Sequence, residues 1–171
     1  MSVIFCDLVE SVSISRQLDP EDLRDIIRDY RQVCSDIVRR HDGTPAQFQG
    51  DGIVVYFGYP VAHEDAPRRA VQAALDIVQG VAGMAPEAQR RYGVRLAVRA
   101  AVHTGLAVIG EFGADASADA MGSTVNLAAR IQSVVGPNTV AISGTTQRLT
   151  AGYFDAESLG SHQVEGVAEA Q

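Results

Sequence analysis

With 171 residues, 46% of them hydrophobic, and a net charge of −7 at a pI near 5.0, the chain is sized for one globular domain that buries ~70% of the surface its unfolded form exposes. Its hydrophobic content excludes a disordered chain. The acidic balance, with no lysine cluster and with arginines placed singly or in pairs, speaks against a nucleic-acid surface, and an anionic substrate would need metal ions to offset the charge.

The first expected strand is Val3-Ile4-Phe5-Cys6-Asp7-Leu8-Val9. Met1 leads into it with no basic n-region or apolar h-region, and no stretch approaches the ~18 apolar residues of a membrane span, so neither secretion nor membrane insertion is expected. Leu18-Asp19-Pro20-Glu21-Asp22 then supplies an N-cap Asp, a Pro at the first helical position and an acidic first turn. Leu23, Ile26, Ile27, Tyr30, Val33, Cys34, Ile37 and Val38 follow at three-and-four spacing as far as Arg39-Arg40-His41 and Gly43. This pattern predicts a helix over roughly 20–41. Cys6 in the strand and Cys34 on the apolar face of that helix read as buried thiols of a reducing compartment, which points to the cytoplasm.

The segment Phe48-Gln49-Gly50-Asp51-Gly52-Ile53-Val54-Val55-Tyr56-Phe57 reads as a hairpin with Asp51 solvent-facing at its tip, because Asp-Gly between apolar runs is a turn signal. Tyr56, Phe57 and Tyr59 read as core or interface packing. Asp65-Ala66-Pro67 opens a second helix, carried by Ala70, Val71, Ala74, Leu75, Val78 and Val81 and expected to end near Gly83. Residues 94–104 and 106–112 read as two strands broken at Gly105. The order βαββαβ plus one strand suggests an α+β sandwich of ferredoxin type, with helices on one face of an antiparallel sheet. Residues 113–120 are small and acidic without periodicity, which suggests an exposed, flexible loop. A helix over 124–134, a strand over 139–142, a helix over 144–149 and a polar tail complete the chain. With no internal repeat or linker, residues 1–171 form a single expected domain, one that reads as excised from a longer protein.

Asp7 and Asp51 each close a strand-like run, and neither has a basic neighbour in sequence. If the first strand lies beside the hairpin, the two carboxylates converge. Oxygen ligands so placed suit Mg²⁺ or Mn²⁺, which take one or two carboxylates and fill the other positions with phosphate oxygens and water. The plainer alternative is a turn Asp and an unrelated strand-end Asp. Asn126 and Arg130, four apart, share the polar face of their helix, where an amide beside a guanidinium can bind phosphate; an ordinary exposed helix face has the same pattern. His103 has no acidic or nucleophilic partner spaced to use it and reads as a packed strand residue.

Phe5-Cys6-Asp7-Leu8, Gly50-Asp51-Gly52, Val102-His103-Thr104-Gly105 and Gly122-Ser123-Thr124-Val125-Asn126-Leu127-Ala128-Ala129-Arg130 together resemble the motifs of class III adenylate and guanylate cyclase catalytic domains. The likeness runs from Val3 to about Val167. It implies a homodimer with active sites at the subunit interface, two Mg²⁺ or Mn²⁺ ions, and conversion of a nucleoside triphosphate to a 3′,5′-cyclic monophosphate and pyrophosphate. By the same resemblance Asp7, Asp51 and the Leu8 carbonyl would hold the metals. The backbone of Glu10, Ser11 and Val12, in the turn after the first strand, would cradle phosphate. Asn126 would orient the ribose, Arg130 would stabilise charge on the α-phosphate, and Arg99 resembles the family's second phosphate-facing arginine, assigned to the opposite subunit's site; a solvated strand-edge residue is its alternative reading.

Base selection departs from the family pattern. Gln47 stands where adenylate cyclases commonly have Lys, while Asp119 matches the adenine-reading carboxylate, which accepts from the N6 amino group and repels guanine O6. This favours ATP, with relaxed selectivity expected from Gln47. Val12 replaces a usual Thr, and Glu165 replaces a usual Lys. An adenylate cyclase is therefore the leading reading. A catalytically weakened nucleotide-binding regulatory module is its rival, and a diguanylate-cyclase or polymerase-like palm leaves Asn126 and Arg130 unexplained.

Overall fold

The computed structural model describes residues 1–111, 118–121 and 123–160. A five-stranded sheet runs in the order β2 (Thr44–Gln49), β3 (Gly52–Phe57), β1 (Ser2–Leu8), β4 (Val98–Thr104), β7 (Thr139–Ile142). The first four strands are mutually antiparallel, which is the ferredoxin-like arrangement expected, and β7 joins β4 in parallel. A parallel neighbour needs a crossover. It is supplied by a two-stranded ribbon, β5 (Val108–Glu111) with β6 (Ala118–Met121), and by helix α4 (Ser123–Ser133).

Period-two alternation divides each strand between two cores. Ile4, Cys6 and Leu8 of β1, with Ile53, Val55 and Phe57 of β3 and Val98, Ala100 and Val102 of β4, face helices α2 (Pro20–Arg40) and α3 (Ala66–Tyr92). On the opposite face Val3, Val54 and Tyr56 meet Ala128 of α4, and Ala101 and Ala141 meet Leu127, Ile131 and Val135. The helices thus cover both faces, not one as the sequence suggested, because α4 brings its own apolar stripe to the side left open by α2 and α3.

Four further expectations need correction. Helix α3 passes Gly83 and Pro86 and ends at Tyr92, capped by Gly93 at φ 70°. Its apolar stripe continues through Val81, Met84, Ala85, Ala88 and Tyr92 into the core. Packing of Met84, Ala85, Ala88 and Tyr92 against the core offsets the ~3 kcal/mol cost of a mid-helix proline. A short helix, α1 (Ser11–Gln17), occupies what looked like a turn; its Ser-rich sequence buries only Ile14 and gives a weak helical signal. Residues 118–120, expected in a loop, belong to β6, whereas 113–117 lie outside the described residues. Strand β4 begins at Val98 and not at residue 94. The last helix, α5 (Gly144–Leu149), falls where expected.

His103 is buried and bonds Ser143 Oγ through Nδ1 at 2.7 Å. From there Ser143, Thr146, Thr104 and Ser2 form a chain of hydroxyls at 3.1, 3.1 and 2.9 Å that ties β7 and α5 to β4 and β1. A chain so satisfied is structural. Cys6 and Cys34 are free thiols, both fully buried around Tyr30, and burial pushes the Cys6 thiol up to about 12. Neither is placed to react. Among the described residues, no helix is long and apolar enough to cross a membrane.

Candidate active site

Asp7 sits near the C-terminal end of β1 on the α4 face of the sheet, following Val3 and Phe5 at period two. Directly opposite it in β4 stands Arg99. Arg99 Nε donates to Asp7 Oδ1 at 3.0 Å and Nη2 to Oδ2 at 3.3 Å, so the carboxylate that has no base beside it in sequence acquires one across the ladder. Arg99 is no strand-edge residue, since β4 lies between β1 and β7. Its partner in the structure is Asp7 of the same chain. The hydrogen bond to Asp7 raises the Arg99 pKa above its ordinary value, burial opposes this, and the charges of Asp7 and Asp51 add to the rise.

Asp51 occupies the second position of a two-residue turn, since Gln49 pairs with Gly52. Gly50 takes the first position at φ 63°, so it supplies the left-handed conformation, and Gly52, which the sequence pattern marked as the turn glycine, already belongs to β3. Arg31 of α2 donates through Nη2 to the Gly50 carbonyl at 2.6 Å and fixes the tip. The β1–β3 register ends at Cys6 opposite Ile53. Carried two steps further, it sets Asp7 and Leu8 against Gly52 and Asp51, at one end of adjacent strands.

Beside that end lies a cavity of about 270 Å³ lined by Leu8, Ser11, Val12, Ile14, Gly50 and Asp51, with Ile26 and Ile27 of α2 behind them. Glu10, at φ 56°, turns the chain into α1, and its carbonyl accepts from the N–H groups of Ser13 and Ile14. Of the expected metal and phosphate residues, Leu8, Ser11, Val12 and Asp51 thus line one cavity, while the exposed Val12 side chain brings no hydroxyl.

Helix α4 is anchored at its start by the Thr124 hydroxyl, which donates to the Leu106 carbonyl. Its sheet-facing stripe is Thr124, Leu127, Ala128 and Ile131, all buried, with Val135 buried just after the helix. At 100° per residue, Asn126, which is exposed, lies roughly 150° from the centre of that stripe, and Arg130, which is half-buried, lies on its flank at about 110°. Among the described residues, no hydrogen bond or ion pair joins Asn126 or Arg130 to Asp7, Asp51 or Arg99.

The whole chain, residues 1–171, matches the family described as the Adenylate and Guanylate cyclase catalytic domain. The chain belongs to that family. Adenylate cyclase 1 of Rhizobium meliloti (strain 1021) is 33% identical to it over 135 residues, which cover 77% of this chain and 20% of that protein. The cyclase domain thus spans about a fifth of that relative's length. Two solved structures superpose at a TM-score of 0.94 with 26% identity over 99% of this chain: the adenylyl cyclase CyaB from P. aeruginosa, of which 89% is covered, and the guanylyl cyclase Cya2, of which 87% is covered. One is an adenylyl and the other a guanylyl cyclase, so the shared fold does not select the base.

In the cyclase domain the two expected base-reading positions lie on different sheets. Gln47 pairs with Val54 after a bulge that leaves Ala46 unpaired, and Asp119 pairs with Gly110 in the β5–β6 ribbon. The bulge resets the alternation, which sets Gln47 in register with a residue of the α4-side core. Glu165 lies outside the described residues. Sequence reading missed the Asp7–Arg99 pair, whose members are separated by 92 residues; only the β1–β4 register discloses it.

Proposed function

We propose that this cyclase domain is an adenylate cyclase that converts ATP to 3′,5′-cyclic AMP and pyrophosphate in the cytoplasm, as a homodimer with its active sites between subunits. The observation that carries this reading is the separate placement of the half-sites: Asp7 and Asp51 at one end of the sheet, and Asn126 and Arg130 outside the core stripe of α4. A second copy is what completes each site.

The donor set fits divalent cations, because carboxylates and a backbone carbonyl are hard oxygen ligands and Asp7 already attracts a cation in Arg99. Two Mg²⁺ or Mn²⁺ ions held by Asp7, Asp51 and the Leu8 carbonyl would supply activation of the ribose 3′-hydroxyl and neutralisation of the triphosphate. Arg130 stabilises the charge that develops on the α-phosphate, and Asn126 orients the ribose against it. Backbone N–H groups at Glu10, Ser11 and Val12 receive phosphate oxygens. Arg99 turns to the phosphates once they arrive. Asp119 accepts from the adenine N6 amino group, while Gln47 offers N1 a neutral donor, which leaves some tolerance for GTP.

The rival reading, a weakened nucleotide-binding module, is favoured by the missing hydroxyl at Val12, whose side chain is 64% exposed beside the phosphate half of the site. Quantifying cyclic nucleotide formed from ATP and from GTP, with Mn²⁺ and with Mg²⁺, separates the two. Cyclic AMP as the main product supports the cyclase reading; nucleotide binding with no cyclic product from either triphosphate supports the rival.

A further inference from the structure

Asp7 carries the only carboxylate among the described residues whose two oxygens both accept from one guanidinium across the central sheet. Those are the oxygens a metal would need. Arg99 cannot leave by a backbone shift, because β4 is an inner strand held by β1 on one side and by β7 on the other, with Arg99 in register with Asp7 and Thr139. Its side chain can swing, since Arg99 and Asp7 are 32% and 25% exposed. Arginine stays charged through any such movement.

We propose that Arg99 is an internal counter-ion that occupies the metal position on Asp7, so that divalent-ion loading requires the guanidinium to leave the carboxylate. This inference rests on the metal reading of Asp7. A dication bound to Asp7 would stand within a few ångströms of the guanidinium, and two cations at that distance repel strongly in a half-buried site. The repulsion is relieved when Arg99 acquires another anion. The triphosphate chain of the nucleotide is an anion able to receive a guanidinium fork. Metal and nucleotide binding are then coupled through one side chain, and by reciprocity each raises the affinity for the other. Without nucleotide, Arg99 holds metal affinity down and protects the acidic end of the site from idle loading.

The test is a Mn²⁺ titration of the nucleotide-free protein, followed by electron paramagnetic resonance of the free ion, for wild type, Arg99→Gln, Arg99→Lys and Asp7→Asn. Arg99→Gln should bind Mn²⁺ about tenfold more tightly than wild type, in the ordinary range of couplings between sites. Arg99→Lys keeps the charge and should stay near wild type, which also covers the case in which the neutral variant folds poorly. Asp7→Asn should lose the site. Unchanged or weaker binding in Arg99→Gln, or equal tightening in Arg99→Lys, overturns the counter-ion role while loss in Asp7→Asn leaves the metal reading standing. Equal binding in wild type and Asp7→Asn overturns the metal reading itself.

Discussion

Asp7 and Arg99 stand directly opposite each other in the β1–β4 ladder, joined by two N–H···O bonds of 3.0 and 3.3 Å. The pairing distinguishes two acidic variants that sequence alone treats as equivalent. Asp7→Ala and Asp51→Ala should each abolish turnover, since each removes a metal-side carboxylate. Only Asp7→Ala also strands Arg99. Because both partners are partly exposed, that loss should stay within ~1 kcal/mol, or a few degrees of Tm. Thermal melts should show both variants folded with Asp7→Ala the lower, and substantial residual activity in either would refute the metal assignment.

Arg130 lies beside the core stripe of α4 and not in it, half-buried. Arg130→Ala should therefore leave stability nearly unchanged and, by removing a contact made chiefly in the transition state, lower kcat much more than it raises KM. Steady-state kinetics decide this. A change confined to KM would make Arg130 a ground-state phosphate anchor.

Gln47→Lys should sharpen the preference for ATP. A lysine gives adenine N1 a charge-assisted donor where the amide gives an ordinary one, and it opposes the guanine N1–H. One polar contact of this kind is worth ~1–2 kcal/mol, or roughly tenfold in relative kcat/KM. The ratio measured with both triphosphates at one metal concentration tests this; an unchanged ratio would show that Gln47 does not touch the base.

Burial holds the His103 imidazole below its ordinary value of 6.5. The folded protein therefore binds this proton less readily than the unfolded chain. Its contribution to stability is complete above about pH 6.5 and is lost as the pH falls through the window between the unfolded and folded values. The depressed carboxyls Asp36, Asp65 and Asp76 begin to matter only near and below 3.8, outside that window. Urea denaturation at about pH 7.5 and about pH 5.5 should show weaker stability at the lower pH, and His103→Asn, which can still reach Ser143, should reduce the difference. An equal difference in wild type and variant would assign the effect elsewhere.

Elements whose signals are local were legible in the sequence. The cap, the proline and the uninterrupted stripe of α2 mark its start at Pro20, and Thr139–Ile142 and Gly144–Leu149 fall as expected. Where a local signal competes with burial, burial won: Gly83 and Pro86 suggest an end to α3, yet the stripe beyond them reaches the core. Helix α1 escaped notice because a single buried residue, Ile14, carries no period. In the site, Asp7, Asp51, Asn126 and Arg130 were visible through residue type and spacing. The separation of the two pairs was not, since it depends on which face α4 turns to the sheet. Nor was the partner of Asp7, because register brings Arg99 across 92 residues of chain.

The central claim is that each active site is assembled from two copies, with Asp7 and Asp51 from one and Asn126 and Arg130 from the other. Mixing Asp7→Ala protein with Arg130→Ala protein, each inactive alone, tests it most directly, because a mixed dimer contains one site with every group intact. Cyclic AMP formation should recover to about a quarter of the wild-type rate at equal mixing, since about half the dimers are mixed and each holds one intact site of two. No recovered activity despite verified subunit exchange would contradict the composite site and place all the catalytic groups within one chain.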